Sequence, residues 1–287
     1  MTGFEFAAGT ITGAHHVRVG RNNQDSWAVL QTPTCLVATV TDGCSESADS
    51  EVGAKLGSHL IADILSDLLV ASGGVPADVH GQSLLLETLH QQALQKMRLL
   101  AQTMNALPGA GRSSGDIARY LLFTVVGVAI SEKHFFSFSI GDGYLVLNGE
   151  TLKIGPFPQN QPPYLAYGLL KNGSEMPLSS SFAIHQSGLA KTIDSMVIAT
   201  DGLDAFIKNA DKTLPGRQEL LGPLSQFWTN EFYFQNPDGI RRRLFLANHA
   251  SSKPDWDRRR MIREEGLLAD DTTMIVLRRC SNSENGA

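Results

Sequence analysis

Cysteine is scarce in this chain: Cys35, Cys44 and Cys280 are the three among 287 residues. They are too few and too scattered for a disulfide framework or a zinc site, which fits a reducing compartment. No apolar stretch approaches the roughly 20 residues of a membrane span, and Met1 to Thr12 lacks the charged and apolar regions of a secretion signal. Positive charge is not in excess, since 24 Lys and Arg against 29 Asp and Glu leave a net charge of -5. That balance argues against general nucleic-acid binding. A soluble cytoplasmic protein is expected, with any anionic ligand held locally by metal or by single arginines. Signature motifs are missing too. Pro108 to Gly115 reads as a flexible loop without the Lys-Ser/Thr ending of a phosphate cradle. The arginine that a cysteine nucleophile needs six positions on is Ser50 in the case of Cys44, and Asp42-Gly43-Cys44 lacks the second acid of an aspartyl-phosphate site. The alternating acids and terminal Glu of an EF-hand are also absent.

What the chain has is a set of apolar runs that stop or start at aspartate. Cys35 to Thr41 breaks off at Asp42-Gly43, Phe135 to Ile140 at Gly141-Asp142-Gly143, and Met196 to Thr200 at Asp201-Gly202, while Thr272 to Leu277 begins after Asp270-Asp271. Runs of this length and β-branched content, bounded by Gly, read as buried strands. Any single Asp-Gly is as readily a turn. Strands that bring all four acids to one rim would create a different situation, because two carboxylates about 4 Å apart at an effective dielectric of 20 repel by roughly 4 kcal/mol. Such a group needs a cation, and hard oxygen donors without a Cys or His cluster favour Mg²⁺ or Mn²⁺ over zinc.

Composition bounds the rest: 42% hydrophobic and 18% charged residues suffice for a sizeable core. Ser50 to Val70 places Val52, Leu56, Leu60, Ile64 and Leu68 at near-helical spacing, which predicts an amphipathic helix packed on a sheet, and Leu84 to Met104 predicts a second helix. Strands are predicted over Tyr120 to Ile130, His134 to Ile140 and Tyr144 to Leu147, with a hairpin turn at Asn148-Gly149. Residues 155–190 read as an irregular flap and 205–268 as a mainly helical segment within a single domain of residues 1–287. Arg241 to Arg243 and Arg258 to Arg260 read as solvated helix faces. Strands then helices, twice over without regular alternation, predict an α+β layered fold with mostly antiparallel sheets.

Ahead of the first acid strand, Arg18 and Arg21 precede Asn22-Asn23-Gln24-Asp25. Arginine suits phosphate because its planar fork makes two parallel charge-assisted hydrogen bonds. Taken in order, the Arg-rich segment ending in Gln24-Asp25, Thr41-Asp42-Gly43, Gly141-Asp142-Gly143, Thr200-Asp201-Gly202-Leu203 and Asp270-Asp271-Thr272-Thr273 resemble the motifs of the metal-dependent type 2C protein phosphatases, especially their bacterial branch. The resemblance spans about Gly13 to Leu277.

It implies a four-layer α-β-β-α sandwich with a binuclear Mg²⁺ or Mn²⁺ centre at one end. In that frame Asp42 would bridge both metals, with the Gly43 carbonyl joining one of them. Asp201 and Asp270 would complete the other, Asp25 would hold metal-bound water, and Asp142 would serve a third, looser ion. Asp271 then supports Asp270. The implied activity is hydrolysis of phosphoserine or phosphothreonine in proteins by a metal-activated water, within a Ser/Thr kinase pathway and without nucleic-acid or membrane partners. Three positions depart from the pattern. Gly20 stands where the phosphate-binding Arg is usual, which leaves Arg21 and Arg18 as candidates. Cys44 replaces a His that is a candidate proton donor in many members; His15 or His16 is a candidate substitute, although an unpaired surface residue is the favoured reading of each. Ala205 stands where a second acid often follows, which weakens the third ion. These departures motivate an alternative, a phosphoprotein-binding pseudophosphatase.

Overall fold

The computed structural model describes residues 3–105, 113–170 and 181–280. In chain order the elements are β1 (Phe4–Ile11), α1 (Ala14–Val19), β2 (Asp25–Gln31), β3 (Cys35–Gly43), α2 (Ser50–Ser72), α3 (Val79–Asn105), α4 (Ser113–Tyr120), β4 (Phe123–Ser131), β5 (His134–Ile140), β6 (Gly143–Leu147), β7 (Glu150–Ile154), β8 (Ala183–Leu189), β9 (Ser195–Ala199), α5 (Leu203–Lys208), α6 (Gln226–Thr229), α7 (Phe232–Gln235), α8 (Gly239–Asn248), β10 (Ser251–Asp255), β11 (Arg260–Glu264) and β12 (Thr272–Arg279).

Two five-stranded sheets form, in the orders β1-β12-β9-β6-β7 and β2-β3-β4-β5-β8, and every pairing within them is antiparallel. The period-2 alternation of side chains sorts them into layers. Along β3, Leu36, Ala38 and Val40 face Ile198, Ile275 and Leu277 of the other sheet, while Cys35 and Val37 face α2 and α3. Thr39 and Thr41 share the helix side, and their hydroxyls donate to the Ser58 and Ala54 carbonyls of α2 at 2.9 and 2.8 Å. On the far side of the first sheet, Val197, Met274 and Val276 pack on Phe206, Phe227, Ile240 and Leu244. The expected α-β-β-α sandwich is what the chain builds.

At the level of single elements, agreement with the sequence pattern is uneven. The Asn148-Gly149 turn joins β6 to β7 with both residues at positive φ, as a tight hairpin demands. In α2 the predicted stripe holds at Ile64, with Leu60 and Leu68 half-buried against the core, but not at the N-terminal end. Val52 and Leu56 are exposed, while Gly53, Ala54, Gly57, Ile61 and Leu65 face the core. The reason is close approach, because a Cβ on Gly53 would sit 1.9 Å from the Tyr120 carbonyl and one on Gly57 would strike the Phe123 ring. Tyr120, read as the start of a strand, ends α4 instead, and the strand begins at Phe123. The flap region contains an edge strand, β8, and the segment read as helical contains the hairpin β10–β11. Both corrections have one cause: strands with solvent on one side or both carry no apolar run to betray them. Of the loop read at Pro108 to Gly115, residues 108–112 lie outside the described residues, as do residues 171–180 of the flap. Among the described residues no helix is long and apolar enough to cross a membrane.

Candidate active site

The parity that fills the space between the sheets also sets what stands at its mouth. In β3 the inward series Leu36, Ala38, Val40 continues to Asp42, and in β2 the series Val29, Trp27 continues to Asp25. In β9 the series Met196, Ile198 continues to Thr200 and in β12 Leu277, Ile275 leads back to Thr273 and Asp271. One end of the sandwich therefore changes from aliphatic to polar along each inward series, directly to aspartate in β2 and β3 and to threonine in β9 and β12.

Asp25 and Asp42 are direct register partners across β2 and β3. Asp25 is buried, with Oδ2 accepting from the Thr200 hydroxyl at 2.7 Å, while Oδ1 is sealed from solvent without a hydrogen-bond partner. Asp201 Oδ1 is a second such orphan. A cleft of about 80 Å³ is lined by Asp42, Gly43, Asp142, Asp201, Asp270, Cys44, Thr124, Gln24, His16 and Tyr164, among others. Burial and then the charges of Asp25, Asp201, Asp270 and Asp142 raise the Asp42 carboxyl well above the usual range. Asp25 is raised by burial and by Asp271. Asp201 is pushed up to about 6 by burial, Asp270 and Asp142, against a hydrogen bond shared with Asp42. Burial likewise raises Asp142 and Asp270, the latter standing at the rim.

Among the described residues no three His, Cys, Asp or Glu side chains close on one point as a finished metal cage. The donor set nonetheless fits a hard divalent cation. Orphaned buried carboxylate oxygens and mutually raised carboxyls are the features a cation relieves, and all the donors are oxygens.

Beside this cleft lies a wider one of about 660 Å³, lined by His15, His16, Arg18, Val19, Arg21, Ser45, Ala269 and Asp270. Both predicted arginines are there, on either side of the C-terminal end of the short helix α1. Gly20 explains the spacing, since it ends α1 in the left-handed conformation at φ 70°, with the Arg21 amide bonded to the His16 carbonyl at 2.9 Å. The Arg21 guanidinium donates to the Ser45 carbonyl, just past Asp42-Gly43-Cys44. Arg18 instead reaches Glu265 at 3.5 Å on the surface.

Several residues around the site escape sequence reasoning. His16, read as an unpaired surface residue, is buried, and its Nδ1 lies 2.9 Å from Asp271 Oδ2. His15 is exposed. Asp271 also accepts from the Gly13 and Gln24 amides, at 2.6 Å each, so both its oxygens are engaged in tying β12 to the segment ahead of β2. Tyr164 enters from the flap and lines the acidic cleft together with Cys44. Next to Ala205, Asp204 accepts from Tyr144 Oη at 2.5 Å and from Lys153 Nζ at 3.0 Å. The Lys153 charge extends to Asp142 and Asp201, lowering both carboxyls. No local pattern announces these contacts. The runs of arginine lie mostly at the surface: Arg241 pairs with Asp238 at 3.0 Å and Arg260 with Asp255 at 3.6 Å, the latter on a hairpin and not a helix, whereas Arg243 is largely buried against Glu219 and the Leu220 and Leu221 carbonyls.

Two antiparallel sheets between helical layers, opening at one end onto a ring of aspartates, define a four-layer α+β sandwich. Residues 12–244 match the family model of protein phosphatase 2C, and the chain belongs to that family. Among solved structures it is similar to the serine/threonine phosphatase Stp1 from Staphylococcus aureus, at 15% identity and a TM-score of 0.52, covering 97% of this chain and 96% of that one. It is also similar to a bacterial serine phosphatase carrying a point mutation, at 16% identity and a TM-score of 0.51, covering 96% of this chain and 97% of that one. No curated protein sequence matches it.

Proposed function

We propose that this protein hydrolyses phosphoserine or phosphothreonine in proteins with the help of bound Mg²⁺ or Mn²⁺. The observation that carries the reading is the convergence of Asp42, Asp142, Asp201 and Asp270 on one cleft beside buried Asp25, next to a second cleft bearing Arg18 and Arg21. Asp42, Asp201, Asp270 and the Gly43 carbonyl would hold two ions, and Asp142 would offer a weaker third position. Bound there, the ions supply neutralising charge for the phosphoryl group and a water acidic enough to attack at neutral pH. The chain's own residues do the remainder. Asp25, anchored by Thr200, orients water; Arg21 binds the phosphate oxygens, with Arg18 farther out. The substrate is the product of a Ser/Thr kinase, and the setting we assign is the cytoplasm, where three free thiols stay reduced.

The test is phosphate release from a phosphoserine peptide and from p-nitrophenyl phosphate with Mn²⁺. Release well above that of an Asp42→Ala control is expected, and release at the control level overturns the reading. One observation favours a phosphoprotein-binding module instead. Lys153, paired with Asp204 at 3.0 Å, carries a positive charge that lowers the Asp142 and Asp201 carboxyls without any metal. Calorimetry separates the two, since the binding module takes up phosphopeptide without taking up Mn²⁺.

A further inference from the structure

Breaking a serine phosphate leaves an alkoxide, a far poorer leaving group than a phenolate, so a proton donor near the leaving oxygen matters for the natural substrate class. Apart from the aspartates, the Gln24 amide and the very weakly acidic hydroxyls of Ser45 and Thr124, three side chains with a proton to give line the acidic cleft: Cys44, Tyr164 and His16. Cys44 and Tyr164 stand in the same cleft, and burial pushes the Tyr164 hydroxyl far above its ordinary value, so it holds its proton tightly. His16 is arranged differently. Its Nδ1 is held by Asp271 at 2.9 Å, and Asp271 is itself fixed by the Gly13 and Gln24 amides. A carboxylate on one ring nitrogen fixes the orientation of an imidazole and leaves the other nitrogen free to exchange a proton. The ring lines both the acidic cleft and the arginine cleft, the two places that a phosphoserine would bridge.

We propose that His16, positioned by Asp271, is the proton donor to the leaving serine or threonine oxygen; the inference rests on the phosphatase reading above. In the step, a water oxygen forms the new bond to phosphorus while the P–Oγ bond breaks with its electron pair passing to Oγ. Oγ takes the proton from His16 Nε2. The proton released by the attacking water returns through solvent to the imidazole, so the ring is restored and the net reaction is hydrolysis.

The experiment compares wild type with His16→Gln on a phosphoserine peptide and on p-nitrophenyl phosphate, whose leaving group needs no proton at neutral pH. His16→Gln is expected to lose about 10²–10⁴-fold in kcat on the peptide and less than about 10-fold on the aryl ester. Its Mn²⁺ affinity by calorimetry is expected to match wild type. Equal losses on both substrates overturn the proposal while leaving the phosphatase reading intact, as does a loss of Mn²⁺ binding that accounts for the drop. A second measurement needs no variant. Across aryl phosphates of decreasing leaving-group acidity the wild-type rate is expected to stay nearly flat, and a steep decline overturns the proposal even if His16→Gln does not fold. If wild type releases phosphate from neither substrate, the phosphatase reading fails and this inference with it.

Discussion

Asp25 and Asp42 sit opposite one another in register on adjacent antiparallel strands, the last inward-facing pair at the open end of the sandwich. Paired residues in such a ladder lie about 4.5–5.5 Å apart at Cα, so two carboxyls are forced to share one small volume. Thr200 satisfies one oxygen of Asp25 and nothing satisfies the other. The fold thus holds an arrangement that is unfavourable without a counter-charge.

Relieving it should separate stability from activity. Asp42→Asn removes the carboxyl on which the charges of four other aspartates converge. In the metal-free protein it is expected to raise Tm, by about 2–4 °C for each kcal/mol of repulsion relieved in a domain of this size. Mn²⁺-dependent phosphate release is expected to fall by at least about 10²-fold. Thermal melts in EDTA alongside activity assays check this, and a lower Tm for the variant would contradict the electrostatic account.

Dependence on pH follows with a definite sign. The folded-state pKa of Asp201, about 6, exceeds the unfolded value of about 3.9. Between those values the folded chain binds more protons than the unfolded one, so this group's contribution to stability is full below about pH 4 and is lost as pH rises through about 6. In EDTA, Asp201→Asn should therefore match wild type in Tm near pH 4 and exceed it increasingly up to pH 7. A gap that narrows as pH rises would refute this. Mn²⁺ should stabilise wild type most at the high end, where the carboxylates are ionised.

The two arginines should not be equivalent. Arg21 is pinned at Ser45 beside the acidic cleft, whereas Arg18 makes an exposed pair with Glu265. Loss of a charged hydrogen bond to phosphate costs about 1.5–3 kcal/mol. Arg21→Ala is thus expected to raise KM for a phosphopeptide by about 10–100-fold, and Arg18→Ala by less than about 3-fold. Steady-state kinetics on both variants decide it, and equal effects would remove the distinction.

Much of the site is legible in the sequence, because its aspartates terminate apolar runs whose alternation is readable. Asp42 follows Leu36, Ala38 and Val40 in step, and that step carries it to the mouth between the sheets. The His16–Asp271 contact is not legible. It joins residues 255 positions apart, and His16 lies in a six-residue helix too short to show a buried face. Lys153 escapes for a similar reason, since its partner Asp204 is 51 positions away and β7 is otherwise exposed up to its last residue.

The amino-acid sequence by itself determined an α+β chain of mostly antiparallel strands whose apolar runs stop or start at aspartate, since these features follow from hydrophobic alternation and from where each strand stops; the two-sheet layering came with the family resemblance. Only the tertiary structure decided which acids are orphaned, which arginine faces the cleft and which histidine is held. Those outcomes depend on strand register and on packing between distant segments, through distances of a few ångströms that no local periodicity encodes.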